Sequence, residues 1–219
     1  MISRIYSPSS LPLEKLLDVE CGNGSLAREM INDGIAKFVI GVDASKDMID
    51  LSIQKNKEND QRYEYLVKDV YTLLPDDVGG TVPLIISIYL LQYATTVDEL
   101  FLMLSAIRRV CGKFFIGLVP NSSLIDNAKK MKKYGMDICF HKDIKDGDSL
   151  SIISDFDEPS SFTVTNFWYS LETYKNIFRK VGFCTCKWVK QHINPQATEE
   201  QKIFFADYTS IGMSFIAVI

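Results

Sequence analysis

The order of apolar and polar positions divides this chain into two unlike stretches. Up to residue 119, short apolar runs alternate with segments of helical period. Leu16–Val19 runs into a glycine-bearing turn, and Ser25–Asp33 continues as a helix. Lys37–Val42 is predicted as a second strand, Lys46–Glu58 as a helix capped by Ser45, and Tyr63–Lys68 as a third strand. Leu84–Tyr89 is a continuous apolar run, as expected of a central parallel strand covered on both faces. Within Val97–Val110 the residues Leu100, Phe101, Leu104 and Ile107 recur at helical spacing, and Asp98-Glu99 suit its first turn. Cys111-Gly112-Lys113 is predicted to turn into a fifth strand, Phe114–Val119. Strands alternating with helices imply an α/β protein with a doubly wound, mostly parallel sheet.

From Asn121 to Ser170 that rhythm breaks. Ser122–Tyr134 is predicted to be helical up to Gly135, and Asp137–His141, Ser149–Ser154 and Ser161–Trp168 read as small antiparallel strands. This segment is expected to be an insertion after strand five, covering the carboxyl end of the sheet. The helix Leu171–Val181 stops at Gly182, where a left-handed cap suits glycine. The strand Phe183–Lys190, the loop and helix Gln196–Tyr208 and the strand Gly212–Ile219 complete seven sheet strands in one domain, 1–219, with 121–170 as its substrate-covering insertion.

Composition narrows the function classes. At 219 residues, 47% apolar and 24% charged, one globular domain is the natural expectation. A net charge of −4 and a pI near 5.3 argue against a nucleic-acid surface, so Lys129-Lys130 and Lys132-Lys133 read as a solvated helix face. The five cysteines are odd in number and lack zinc spacing, and are expected to be buried free thiols in a reducing compartment. Met1–Glu14 has no apolar centre of the signal-peptide kind, and the longest apolar runs are too short for a membrane. The expectation is a cytoplasmic protein with neither a nucleic-acid nor a membrane partner.

The candidate chemistry gathers at the strand ends. Leu17-Asp18-Val19-Glu20-Cys21-Gly22-Asn23-Gly24 joins a strand, a carboxylate and a glycine turn, where backbone can approach a ligand that a Cβ would block. About 20 residues on, a second strand ends in Asp43, where a carboxylate can hold ribose hydroxyls. With Gly41-Val42-Asp43-x-Ser45-x-x-Met48-Ile49 and Lys68-Asp69-Val70, the set resembles the successive cofactor motifs of class I S-adenosylmethionine (SAM)-dependent methyltransferases. A nicotinamide enzyme fits less well, because Ala27 stands at the third glycine and the third motif would be unexplained. The segment Pro83–Ala94 and Lys133-Tyr134-Gly135, Phe167-Trp168, Tyr174 and Gly182-Phe183 are similar to a narrower group, the toxoflavin-biosynthesis-type small-molecule methyltransferases.

This resemblance implies a Rossmann-like sheet and SAM as cofactor. It implies that Asp18, Glu20, Gly22, Asn23 and Gly24 border the methionine moiety, with Gly22 and Gly24 admitting it. Asp43 would accept from the ribose, Ala44 and Met48 would flank the adenine, and Asp69 would accept from its amine beside Val70. Ser87, Ile88 and Tyr89 would pass under the sulfonium. Three departures stand out: Glu20 occupies the first glycine position, Pro83 replaces an acidic residue at the start of strand four, and little chain precedes strand one to form a lid. A cofactor-binding relative without turnover is therefore the alternative to an active enzyme. No acidic cluster follows strand four, so no metal is expected. Methyl transfer needs proximity, orientation and exclusion of water more than a catalytic triad. The acceptor is expected to be small and planar, methylated on N or O, between Tyr89, Tyr93, Tyr134, His141 and Trp168, with Tyr93 and His141 the candidate catalytic groups.

Overall fold

A computed structural model describes residues 6–56, 60–120, 124–154, 161–189, 196–208 and 212–219. Ten strands and six α-helices follow in the order β1 (Leu16–Val19), α1 (Ser25–Asn32), β2 (Val39–Asp43), α2 (Lys46–Lys55), β3 (Tyr63–Val67), β4 (Val82–Ile88), α3 (Val97–Val110), β5 (Cys111–Pro120), α4 (Leu124–Asn127), β6 (Met136–Phe140), β7 (Ser149–Ser154), β8 (Phe162–Phe167), α5 (Leu171–Lys180), β9 (Thr185–Val189), α6 (Glu199–Tyr208) and β10 (Gly212–Val218).

Seven strands form one sheet in the order β3-β2-β1-β4-β5-β10-β9. The first five are parallel, and β10 runs antiparallel to both β5 and β9. Successive strand residues go to opposite faces, so the sheet has two cores. Leu16, Leu84, Ile86, Phe114 and Ile116 pack with Ala27 and Ile31 of α1 on one face. Leu17, Val19, Ile85 and Phe115 pack with Leu100, Leu104 and Ile107 of α3 and Ile177 and Phe178 of α5 on the other. Ser45, Thr96 and Ser170 cap α2, α3 and α5 by accepting from Met48 N, Glu99 N and Thr173 N.

The insertion forms a second, three-stranded antiparallel sheet in the order β6-β7-β8. It has its own small core of Leu124, Ala128, Met131, Ile138, Leu150 and Trp168. α6 returns to it: Tyr134 meets Phe204 edge-on at 4.9 Å and donates to Asp207 at 2.9 Å, and Lys133 pairs with Asp207 at 2.8 Å.

Several boundaries differ from the sequence pattern. Residues 128–134, within the predicted helix, form a 3₁₀ helix, and Leu124–Asn127 ahead of it is α-helical. The buried Ala128 and Met131 and the half-buried Tyr134 recur every third residue, the period of the tighter helix. Cys111-Gly112-Lys113 is no turn but the start of β5, paired with β4 from Val82. Only Cys21 and Cys111 are buried thiols; Cys139 and Cys184 are exposed. His192 and residues 57–59 of the predicted second helix lie outside the described residues.

Candidate functional site

The carboxyl ends of β1, β2 and β4 meet at a cleft built on one carboxylate. Asp43 ends β2 and is buried; its Oδ2 accepts from Gly22 N and its Oδ1 from Ser45 N, both at 2.8 Å. It therefore fixes the β1 turn and the entry to α2 together. The hydroxyl of Ser52, buried in α2, closes the other side by donating to Gly22 O at 2.8 Å and to Met48 O at 3.0 Å. Both polar groups of the Gly22 peptide are thus engaged.

The two glycines of the turn do different things. Gly22 has φ +54 and open space where a Cβ would stand. At Gly24, φ +71, a Cβ would meet the Tyr65 hydroxyl at 2.6 Å and Arg28 Nη1 at 3.1 Å. Only the Gly22 side opens towards a ligand; Gly24 is needed for packing against β3. Ala44, Met48, Asp69 and Ile88 are exposed around the opening, Glu20, Asn23 and Tyr89 are half-buried, and Val70 and Ser87 are buried. Asp69 uses one oxygen to cap the next turn, accepting from Tyr71 N at 2.9 Å.

Two non-glycine residues have positive φ: Glu20 at 65° and Tyr89 at 63°. They follow β1 and β4, adjacent strands, so the strain sits on both sides of one opening. Left-handed backbone costs on the order of 1 kcal/mol at each, and such strain concentrates at ligand sites. Carboxylates crowd there too. Burial first, then the charges of Asp43 and Glu20, push Asp18 up to about 7. Burial, Asp43 and Asp69 do the same to Glu20, also to about 7. The Oδ2 of Asp18 is buried and has no hydrogen-bond partner among the described residues.

A second, apolar space adjoins the cleft. A cavity of about 230 Å³ is lined by Tyr89, Gln92, Tyr93 and Pro120 at the sheet end, by Leu124, and by Met136, Ile138, Leu150, Ile152, Phe162, Val164 and Asn166 of the small sheet. Tyr93 joins the two spaces. It lines the cavity, and burial followed by the charges of Glu20 and Asp43 raises its hydroxyl pKa. That shift favours a phenol that donates a hydrogen bond rather than a base.

The other aromatic candidates lie elsewhere. Trp168 is buried in the core of the small sheet, on the strand face that continues Phe162, Val164 and Asn166. Tyr134 faces α6. His141 is exposed in the loop after β6, where its Nδ1 accepts from Asp143 N at 3.3 Å, in a separate depression with Lys145, Asp148 and Ser149. None of the three is among the residues that line this cavity, which corrects the expectation for each. Sequence reasoning missed Gln92, Asn166 and the apolar face of β6–β8. The usable signal was a polar residue in an apolar phase: Gln92 among Leu90, Leu91 and Ala94, and Asn166 in the row Phe162, Val164, Trp168.

Pro83 is a correction of another kind. It lies at the amino end of β4, five residues before Ile88, or about 16 Å at strand rise. Tyr6 donates to its carbonyl at 3.4 Å and meets Phe114 edge-on, so residue 83 belongs to the end of the sheet away from the cleft. Among the described residues no group of three His, Cys, Asp or Glu side chains could hold a metal ion, and no helix is long and apolar enough to cross a membrane.

Residues 16–113, spanning β1 to the start of β5, match the family model described as a methyltransferase domain. That match covers just under half of the chain. Solved structures share its fold. An S-adenosylmethionine-dependent methyltransferase from Clostridium acetobutylicum superposes with a TM-score of 0.68 at 14% identity, covering 100% of this chain and 89% of that one. One from Mesorhizobium loti gives 0.60 at 15% identity, covering 100% and 95%. Magnesium protoporphyrin IX methyltransferase from Synechocystis, with bound SAH, gives 0.60 at 16% identity, covering 99% and 79%. At such identities the likeness is one of fold. No curated protein sequence matches this chain.

Proposed function

We propose that this chain is a SAM-dependent methyltransferase acting on N or O of a small, largely planar molecule held in the cavity between β4, β5 and the small sheet. The observation that carries the reading is an aromatic and aliphatic cavity opening beside a carboxylate-lined cleft, with Tyr93 at the seam. Apolar walls with few polar groups suit a flat heterocycle or phenol.

The residues of the cleft fit the cofactor. Gly22 leaves open space for the methionine portion, and the unpartnered Asp18 and the crowded Glu20 complement a cation. Asp43 keeps lone pairs for ribose hydroxyls while holding Gly22 and Ser45, and Asn23 stands beside it. Ala44 and Met48 would flank the adenine, and Asp69 and Val70 would border its edge. Ser87, Ile88 and Tyr89 form the floor beneath the reacting centre. When bound, the cofactor would supply a sulfonium methyl group for in-line transfer to the acceptor, with SAH leaving as the neutral thioether. The chain's part is to orient the acceptor with Tyr89 and Tyr93, exclude water with β6–β8, and offer the Tyr93 phenol as a donor.

One feature favours a second reading. Glu20 places a strained carboxylate where a glycine would leave room, as in a relative that binds the cofactor without turnover. Methyl release from labelled cofactor, measured on a panel of planar amines and phenols beside SAH binding, separates the two. Turnover on small planar molecules is expected. Binding without release on any of them supports the second reading, and preference for RNA, DNA or protein overturns the acceptor assignment.

The cleft carboxyls predict a pH dependence. In the folded chain Asp18 and Glu20 keep their protons up to about 7, whereas unfolded carboxyls lose them near 4. The folded state binds more protons between these limits, so stability falls as pH rises from about 4 to about 7 and levels off above. A sulfonium favours the ionised carboxyls, whereas SAH is neutral at sulfur. The affinity ratio of SAM to SAH is expected to rise about tenfold between roughly pH 6 and pH 8. Glu20→Gly should flatten that rise and, by relieving positive φ, raise Tm by about 2–4 °C. Calorimetric titrations giving a pH-independent ratio would contradict both the carboxylate assignment and the cation it faces.

A further inference from the structure

We propose that Gln92 and Asn166 select the acceptor, and that it carries two N–H or O–H donors on its rim, one for each carboxamide. The inference rests on the acceptor reading above and adds the polar chemistry of the bound molecule.

Both residues are 3% exposed, and both line the cavity. The Oε1 of Gln92 and the Oδ1 of Asn166 are buried without a hydrogen-bond partner among the described residues. A buried amide oxygen left unpaired is destabilising, and native proteins satisfy nearly all such groups. The two come from different elements that pack together: Gln92 from the short helical turn Leu91–Tyr93 after β4, Asn166 from β8 opposite Leu150. Each interrupts an otherwise apolar setting. Gln92 lies among the buried Leu90, Leu91 and Ala94, and Asn166 follows Phe162 and Val164 on the cavity face of β8. A leucine in either place would complete that wall without leaving a polar atom unpaired.

A molecule between the small sheet and the end of β4 that donates to both oxygens would satisfy them at once. An amide oxygen rejects an alkylated position by losing its bond and by crowding. The site is therefore built to distinguish an N–H or O–H compound from its methylated counterpart, the same distinction that separates an acceptor from a product. Polar sites of this type discriminate far more strongly than apolar walls do.

The test uses matched flat probes with the full-length protein saturated with SAH: a benzo-fused uracil with two ring N–H groups against its N,N-dimethyl derivative, and a naphthalenediol against its dimethyl ether. Calorimetry is expected to show the donor-bearing member of at least one pair binding more than about tenfold tighter. Gln92→Met and Asn166→Leu should each reduce that preference to about threefold or less. The unliganded variants should keep or raise Tm, because each loses an unpaired buried amide; a fall of more than about 5 °C would mean the amide is bonded within the protein and overturn the proposal. Should either variant fail to fold, Gln92→Glu and Asn166→Asp preserve shape and acceptor oxygens, and they must retain the preference. Equal affinity within both pairs overturns this inference alone. No binding by any of the four probes, with SAH still bound, overturns the planar-acceptor reading and this inference with it.

Discussion

Asp43→Ala is expected to weaken SAH binding by about 3 kcal/mol, roughly 150-fold, with loss of activity to match. The size follows from what this one carboxylate holds. It accepts from Gly22 N and Ser45 N at 2.8 Å each while its own side chain is buried, so the alanine variant leaves two partly buried N–H groups without their acceptor. The glycine turn then loses its tie to α2, and the cofactor loses both a partner and a preformed surface. Asp43→Asn keeps the shape and one acceptor oxygen and should lose less. Ser52→Ala, which removes the hydroxyl's bonds to Gly22 O and Met48 O but leaves Asp43 in place, should lose least. Isothermal titration with SAH ranks the three. An affinity for Asp43→Ala within about threefold of the native protein would remove this residue from the cofactor site.

The largest effect on stability is expected at Gly117→Ala, about 3 kcal/mol, or about 6–12 °C in Tm. Gly117 lies in β5 between Ser87 of β4 and Phe215 of β10. A Cβ there would stand 2.5 Å from the Ser87 carbonyl oxygen and 2.7 Å from the Phe215 ring. The ring could shift, but the carbonyl belongs to the central sheet and cannot move alone. Because Ser87 forms part of the cleft floor, SAH affinity should fall together with Tm. Thermal melts with and without SAH test both effects. A Tm within about 2 °C of the native value would show that the sheet yields more easily than its packing implies.

The parallel half of the protein was legible in the sequence because its cues are local. Continuous apolar runs mark strands buried on both faces, the cap at Ser45 marks a helix start, and the turn from Asp18 to Gly24 followed by Asp43 places a cleft at two neighbouring strand ends. The antiparallel insertion after β5 could also be anticipated from its alternating pattern. Local cues also misled. Periodicity could not separate 3₁₀ from α over residues 128–134, and Cys111-Gly112-Lys113 read as a turn because glycine breaks strands on average.

Tertiary structure alone decided which aromatic and polar groups converge. Trp168 and Asn166 share a strand face, yet Asn166 lines the cavity and Trp168 does not. Tyr134 turned to α6, a helix 65 residues further along. Glu20 and Tyr89, both at positive φ, border one opening because β1 and β4 are neighbours in the sheet. Periodicity and caps act within a few residues, so one chain segment reveals them. A cavity is made by surfaces distant in sequence, and its lining is fixed only once they have packed.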